Sequence, residues 1–219
     1  MKKLLSLVIA AAMAASATAT VFAADYPTDD DNKVVGTPTI GDGTSASSPA
    51  AVVTATTVSK VIKEAASSGK TATVNITATA SVPKSVIDKI TAPVTFKAPN
   101  FTITIDPANM TEKVDIDCGV KTNAPAAQAT FEKFFNEPVA TIACAQDGSF
   151  GGTVQIDVKP DNLDNIDTSK TIYVYSWNPK TNSYKKMGTA VLLKNGQIRV
   201  NVTRGYNLVL SNAASFTAK

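Results

Sequence analysis

Short stretches that alternate apolar and polar residues recur through the second half of the chain, separated by residues that favour turns. The alternation has the period of a β-strand, in which successive side chains point to opposite faces. Asn195-Gly196 lies between two such stretches and is a strong hairpin signal. The predicted strands span residues 139–144, 153–158, 171–177, 191–193, 197–202 and 206–210. Many short strands joined by turns are typical of an antiparallel sandwich or barrel.

The first half of the chain mixes helical and strand patterns. Apolar residues at 58, 61, 62, 65 and 66 have helical spacing, with Thr57 as predicted N-cap and Gly69 as stop. Further helices are predicted over 83–90 and 125–136, and further strands over 71–80, 94–97, 101–105 and 114–120. The predicted fold class is therefore mostly β with a few short helices (α+β). The predicted architecture is antiparallel and β-sandwich-like, either as one unit or as two packed β subdomains.

The N-terminus has the three parts of a secretory signal peptide: Lys2 and Lys3, an apolar run from Leu4 to Ala15, and small residues before Ala24. The apolar run is shorter than the roughly 18–20 residues that span a bilayer, which favours cleavage over an uncleaved membrane anchor. We therefore expect a secreted, extracellular protein without a membrane span after cleavage. Loss of the two lysines lowers the formal charge from +3 to +1. Because a nearly neutral chain does not attract polyanions over a distance, no nucleic-acid partner is predicted.

Composition shifts suggest six segments along the chain. Residues 24–53 are rich in Ser, Thr, Pro, Gly and Asp and have few large apolar residues, which is typical of a disordered tail. The predicted segments are a signal peptide (1–23), this tail (24–53), an N-terminal α+β subdomain (54–122), a helical connector (123–136), a C-terminal antiparallel β subdomain (137–212) and a short tail (213–219).

The chain contains no histidine, and this excludes much catalytic chemistry. Serine or cysteine nucleophiles that depend on a histidine base are excluded, as are histidine-ligated zinc, copper and haem sites. Ser45 lies in a short segment that resembles the nucleophile region of subtilisin-like and sedolisin-like peptidases. Too few residues precede it to supply the partners that those folds require. The sequence therefore predicts no catalytic residue, no metal site and no cofactor.

Two cysteines, Cys118 and Cys144, lie in segments with the sequence pattern of β-strands. In a secreted chain a pair of cysteines favours a disulfide, which would close a loop of about 27 residues and contribute roughly 3–4 kcal/mol on the chain-entropy model. The alternative is two buried free thiols.

Aromatic residues alternate at Tyr173, Tyr175 and Trp177, so all three would share one face of a strand. An exposed strip of this kind could stack on sugar rings and bind a ligand, and Tyr184, across the predicted hairpin, could extend it. The favoured alternative is that these rings are buried against a helix or the second face of the sheet.

Acidic residues offer two weaker candidates. Asp157, Asp161, Asp164 and Asp167 form a run, but calcium needs six to eight convergent oxygens, and a solvated turn is the favoured reading. Three glutamates could be considered as the carboxylates of a glycosidase. Nothing in their sequence context places two of them at the separation of roughly 5–9 Å that glycoside hydrolysis requires. These glutamates are Glu112, Glu132 and Glu137.

Three stretches resemble a β-rich accessory module of secreted and cell-surface Firmicutes proteins of the Clostridia and Ruminococcus type. They are the Asp-Gly-Ser-Phe-Gly turn in 143–151, the aromatic strand and turn in 172–182, and the last hairpin in 205–211. Upstream, 81–87 resembles the proline-led helix of the same module and 101–105 its middle strand, so the resemblance covers roughly residues 70–212. Such modules accompany glycosidases, peptidases, dockerins or wall anchors and have no established activity, so the resemblance implies no catalytic residues.

The sequence therefore predicts a secreted, non-catalytic extracellular module with a binding or scaffold role. The expected partner is a polysaccharide or a cell-surface protein. The alternative is a small secreted hydrolase of the glycosidase type that depends on carboxylates alone.

Overall fold

The computed structural model describes residues 36–40, 53–181 and 183–214. The predicted signal peptide, most of the predicted N-terminal tail, Ser45 and the last five residues lie outside these ranges. Within them the chain is β-rich with a few short helices, which confirms the predicted α+β, mostly β fold class. No helix in the described ranges is long and apolar enough to cross a membrane.

The helices of the described residues are short. They are α1 (Ala55–Ser68), α2 (Lys84–Ile87), α3 (Pro125–Phe135) and a 3₁₀ turn (Leu163–Asn165). The first helix begins one turn earlier than predicted, because the Thr54 side chain accepts a hydrogen bond from the Thr57 amide and is the N-cap. Gly69 ends α1 in the left-handed conformation, as predicted.

The described strands are two to ten residues long, and several alternate buried and less buried side chains, as in 94–97, 101–106 and 198–203. They are β1 (Gly36–Ile40), β2 (Ala72–Ile76), β3 (Ser81–Val82), β4 (Val94–Lys97), β5 (Phe101–Met110), β6 (Ile116–Asp117), β7 (Val120–Lys121), β8 (Ala140–Cys144), β9 (Ser149–Val158), β10 (Ile172–Asn178), β11 (Ser183–Leu192), β12 (Ile198–Arg204) and β13 (Asn207–Ser211). The predicted strand 114–120 is two short strands, because β6 pairs with β3 whereas β7 pairs with β8.

One curled sheet contains most of these strands, in the order β1-β2-β4-β5-β9-β12-β11-β10-β13-β8-β7. All neighbours are antiparallel except β2 and β4. Strand β11 joins two limbs of the sheet: the first limb is β1-β2-β4-β5-β9-β12 and the second limb is β10-β13-β8-β7. The first part of β11 pairs with β10, and its last two residues pair with β12. The predicted N-terminal and C-terminal subdomains share this sheet, since β5 pairs with β9 from Phe101 to Ile105.

The main core lies between the two limbs of the curled sheet. Phe96, Ile103 and Ile156 from the first limb pack in the same cluster as Ile142 and Leu208 from the second. Helix α1 adds residues to this cluster. A second, smaller cluster lies on the outer face of the second limb, where α3 covers the sheet. The outer face of the first limb, by contrast, carries mainly polar side chains.

Candidate functional site

The aromatic strip predicted as a ligand surface is covered by helix α3. Tyr175 and Trp177 are only 1% and 3% exposed, and both belong to the smaller core cluster. The Phe131 ring of α3 meets the Trp177 ring edge-on, with their centroids 5.7 Å apart. The Phe135 ring lies 5.2 Å from that of Tyr175. These contacts bury the strip beneath a helix, which is the favoured alternative from the sequence.

The two remaining tyrosines lie at the margin of this cluster. Lys186 places its ammonium nitrogen 4.1 Å from the centre of the Tyr173 ring, a cation–π contact. Tyr184 pairs across the hairpin with Trp177, and its ring meets that of Phe134 edge-on, with their centroids 5.8 Å apart. Burial raises the pKa of the Tyr184 hydroxyl above its usual value. Tyr175, Trp177 and Tyr184 therefore contact rings of α3, Tyr173 packs against the same cluster, and Tyr184 alone among them is exposed.

The two cysteines are free thiols in the structure, so the predicted disulfide is not formed. The register explains why: Cys144 lies opposite Val120, which places Cys118 diagonally across the pair instead of facing it. Diagonal neighbours are about 7–8 Å apart at Cα, beyond the span of an unstrained disulfide. Burial raises the pKa of both thiols, that of Cys144 to about 12.

We expect both thiols to resist modification in the folded protein, because burial keeps them protonated and the thiolate is the reactive form. A thiol-reactive chromogenic reagent at pH 8 should give almost no signal with native protein. After unfolding in urea without reductant it should titrate both cysteines. Failure to detect thiols in the unfolded protein would contradict the structure and support the disulfide.

The acidic candidates do not converge. Asp157 faces outward on β9, whereas Asp167 in a later loop accepts hydrogen bonds from Ser169 and pairs with Lys170, which lower its pKa. Asp161 accepts a hydrogen bond from Asn123. No group of three or more acidic or cysteine side chains among the described residues could hold a metal ion.

The three glutamates considered as glycosidase carboxylates lie on separate structural features. Glu137 accepts hydrogen bonds from the Ser211 hydroxyl and the Ala213 amide and so fastens the end of the described chain. Glu132 accepts a hydrogen bond from Gln128 on the same helix. Glu112 lies in the exposed turn after β5.

A groove of about 540 Å³ lies on the outer face of the first limb of the sheet. This volume lies within the range of small-molecule and cofactor sites. We call it the polar groove, because hydroxyl, amide and charged side chains predominate in its lining. Its lining residues are Thr71, Thr73, Thr95, Lys97, Ala98, Pro99, Phe101, Thr102, Thr104, Gln155, Asp157, Asn195, Gln197 and Arg199.

Strand register arranges the polar side chains in two rows across the sheet. The first, the threonine row, consists of directly opposed residues: Thr73, Thr95, Thr104 and Gln155. The second, the charged row, is one step further along the strands: Lys97, Thr102, Asp157 and Arg199. Neighbouring strands are about 4.8 Å apart, so each row offers polar groups at a regular repeat.

Within the rows the side chains are held in place by one another. The Thr95 and Thr104 hydroxyls are 2.9 Å apart and share a hydrogen bond. Arg199 donates from Nε and Nη2 to the two Asp157 carboxylate oxygens, at 2.8 and 2.7 Å. This bidentate pair raises the pKa of the Arg199 guanidinium further, so Arg199 remains charged.

Sequence reasoning overlooked this groove because it followed the apolar face of each strand. The alternation that directs Val74, Phe96 and Ile103 inward also directs Thr73, Thr95 and Thr102 outward. The Thr-x-Thr pattern, which occurs at 71–73 and again at 102–104, was the sequence signal for a polar outer face. Which strands would lie side by side could not be seen from it, because β5 and β9 are far apart in the chain.

Comparisons of the chain with protein-family models, with curated proteins and with solved structures gave no match. The chemistry of the lining side chains indicates which ligands the polar groove can bind. Hydroxyl and amide groups both donate and accept hydrogen bonds, which suits a ligand that does the same. The open, regular face suits a ligand with repeated groups.

Proposed function

We propose that the protein is a secreted, non-catalytic module that binds a polysaccharide in the polar groove. The observation that carries this proposal is the threonine row, in which opposed strands present hydroxyl and amide groups across four strands. A polysaccharide presents hydroxyl groups at a regular repeat along its length. Hydrogen bonds between the two would fix the sugar chain across the strands without a conformational change in the rigid sheet.

The lining chemistry favours binding over hydrolysis. Asp157 is the one carboxylate among the lining residues, and both its oxygens accept hydrogen bonds from Arg199. Glycoside hydrolysis ordinarily uses two carboxyl groups that face each other across the bond to be cleaved. The polar groove offers no second carboxylate, and Asp157 is held as an ion pair instead of as a free acid or base.

Replacing Thr95 and Thr104 together by valine is expected to weaken polysaccharide binding about tenfold, since each lost hydrogen bond contributes about 0.5–1.5 kcal/mol. The fold should survive, because the two hydroxyls bond to each other and both are removed. Affinity electrophoresis and calorimetry with a panel of neutral and acidic polysaccharides would measure the change.

The matched control is Thr189→Val on β11, where the threonine is exposed and lies outside the groove lining. Its affinity should equal that of the wild type. Absence of wild-type binding to every polymer of the panel would overturn the proposal. So would equal affinity of the groove variant and the control.

A further inference from the structure

We infer that the polysaccharide of the polar groove is acidic, with anionic groups that meet the charged row. The inference rests on the proposed function and names the class of its ligand. Two cations of the charged row, Lys97 and Arg199, line the groove, and Asp157 is the one acid beside them. The groove therefore carries a net positive charge in a chain that is nearly neutral.

Two further lysines are close in the chain to residues that line the groove, although they are not part of its lining. Lys159 directly follows Val158, the last residue of β9, and is exposed. Lys194 directly precedes Asn195 in the turn before β12 and is also exposed. Clefts lined by one sign of charge focus the electric field and raise the local concentration of ligands of opposite sign.

The geometry of Arg199 leaves part of its guanidinium available to a ligand. The group has five N–H donors, and Asp157 takes one from Nε and one from Nη2. Three donors remain, on Nη1 and the second position of Nη2. The buried Asp157 thereby holds the guanidinium plane in place, so that these donors can meet a carboxylate or sulfate group with little further loss of side-chain freedom. Asp157 acts through Arg199 as a positioning residue.

The lining favours an acidic polysaccharide over nucleic acid, although both are polyanions. Proteins that bind single strands stack bases on aromatic side chains. The one aromatic residue of the groove lining is Phe101, which is 1% exposed and faces the core. Threonine, glutamine and asparagine make up most of the other lining residues, and their hydroxyl and amide groups match sugar hydroxyls.

The test compares polygalacturonate with highly methyl-esterified pectin, which has a similar backbone but few free carboxylates, and with chondroitin sulfate for the sulfated case. Calorimetry uses the chain without its predicted signal peptide at low and moderate salt. We expect wild-type protein to bind at least one acidic polymer at least tenfold more tightly than the esterified pectin. The preferred polymer then distinguishes carboxylate from sulfate recognition.

Two variants and a control complete the test. Lys97→Gln should weaken binding of the preferred acidic polymer about fivefold and reduce its salt dependence. The double variant Asp157→Asn with Arg199→Gln removes the pair without leaving a buried carboxylate unpaired, and should weaken binding more than tenfold. Lys185→Gln, on exposed β11, should leave binding unchanged. Thermal unfolding of each variant verifies that it is folded.

Outcomes separate this inference from the proposed function. Equal binding of acidic and esterified polymers, with a loss in the Thr95→Val, Thr104→Val variant but none in Lys97→Gln, would overturn the inference and leave the proposed function standing. Equal losses in Lys97→Gln and Lys185→Gln would indicate diffuse charge attraction and overturn the inference. Tighter binding of single-stranded RNA than of any polysaccharide would overturn both.

Discussion

Replacing Phe131 by alanine is expected to lower the free energy of unfolding by about 3–5 kcal/mol, the usual cost of deleting a buried phenylalanine ring. Phe131 is 1% exposed and lies at the centre of the aromatic cluster between α3 and the sheet. Its ring contacts those of Trp177 and Tyr184. Urea unfolding followed by circular dichroism measures the loss, and Trp177 emission should shift to longer wavelength as the cover of the indole loosens.

The control for this prediction is Leu192→Ala on β11. Leu192 is also a large apolar residue, but its side chain is 44% exposed, so the change should be within about 0.5 kcal/mol. Wild-type Trp177 should resist quenching by acrylamide, because α3 covers it. A loss below about 1 kcal/mol for Phe131→Ala, or ready quenching of Trp177, would contradict the buried position of the strip.

Gly205→Ala is expected to lower the free energy of unfolding by about 3 kcal/mol, the upper end of the range for overpacking. Gly205 lies at the corner where the chain passes from β12 in one limb of the sheet to β13 in the other. A methyl group there would collide with the backbone carbonyl of Gln146. The Gln146 carbonyl accepts a hydrogen bond from the Tyr206 amide, and the Gly205 carbonyl accepts one from the Ser176 hydroxyl. These hydrogen bonds hold both backbone segments in place, so neither can easily move away from the added methyl group.

Gly196→Ala separates this collision from backbone strain. Gly196 has a left-handed φ of 77°, and an added methyl group would meet nothing within 4 Å. Its cost should therefore be only the conformational one, about 1–2 kcal/mol. Urea midpoints of both variants decide between the two effects. Equal losses would show that close packing at the corner is unimportant.

Much of the fold could be predicted from local patterns. The hairpin at Asn195-Gly196 connects β11 and β12 as predicted, because Gly196 supplies the left-handed φ of 77° that the turn requires. The helical spacing around Val58 and Val61 and the stop at Gly69 also correspond to α1. In each case the residues that determine the structure are neighbours in the chain.

What depends on contacts between distant segments could not be predicted. The alternation of Tyr173, Tyr175 and Trp177 shows that they share a face, but not that α3, some 40 residues earlier, covers that face. Cys144 lies in β8 opposite Val120, whereas Cys118 lies two residues before Val120 in the link between β6 and β7 and does not face Cys144. The polar groove was missed for the same reason, since Lys97, Asp157 and Arg199 come together only through the sheet.

The most direct test of the proposed ligand site is an NMR titration of the isotope-labelled protein with short oligosaccharides of the polymer that it binds most tightly in the calorimetric comparison. If the polar groove binds them, backbone amide shifts should cluster on the threonine and charged rows, around Thr95, Thr104 and Arg199. The amides of 173–177 beneath α3 should not move. Shifts centred on 173–177 and α3, or an unchanged spectrum at saturating oligosaccharide, would contradict the account.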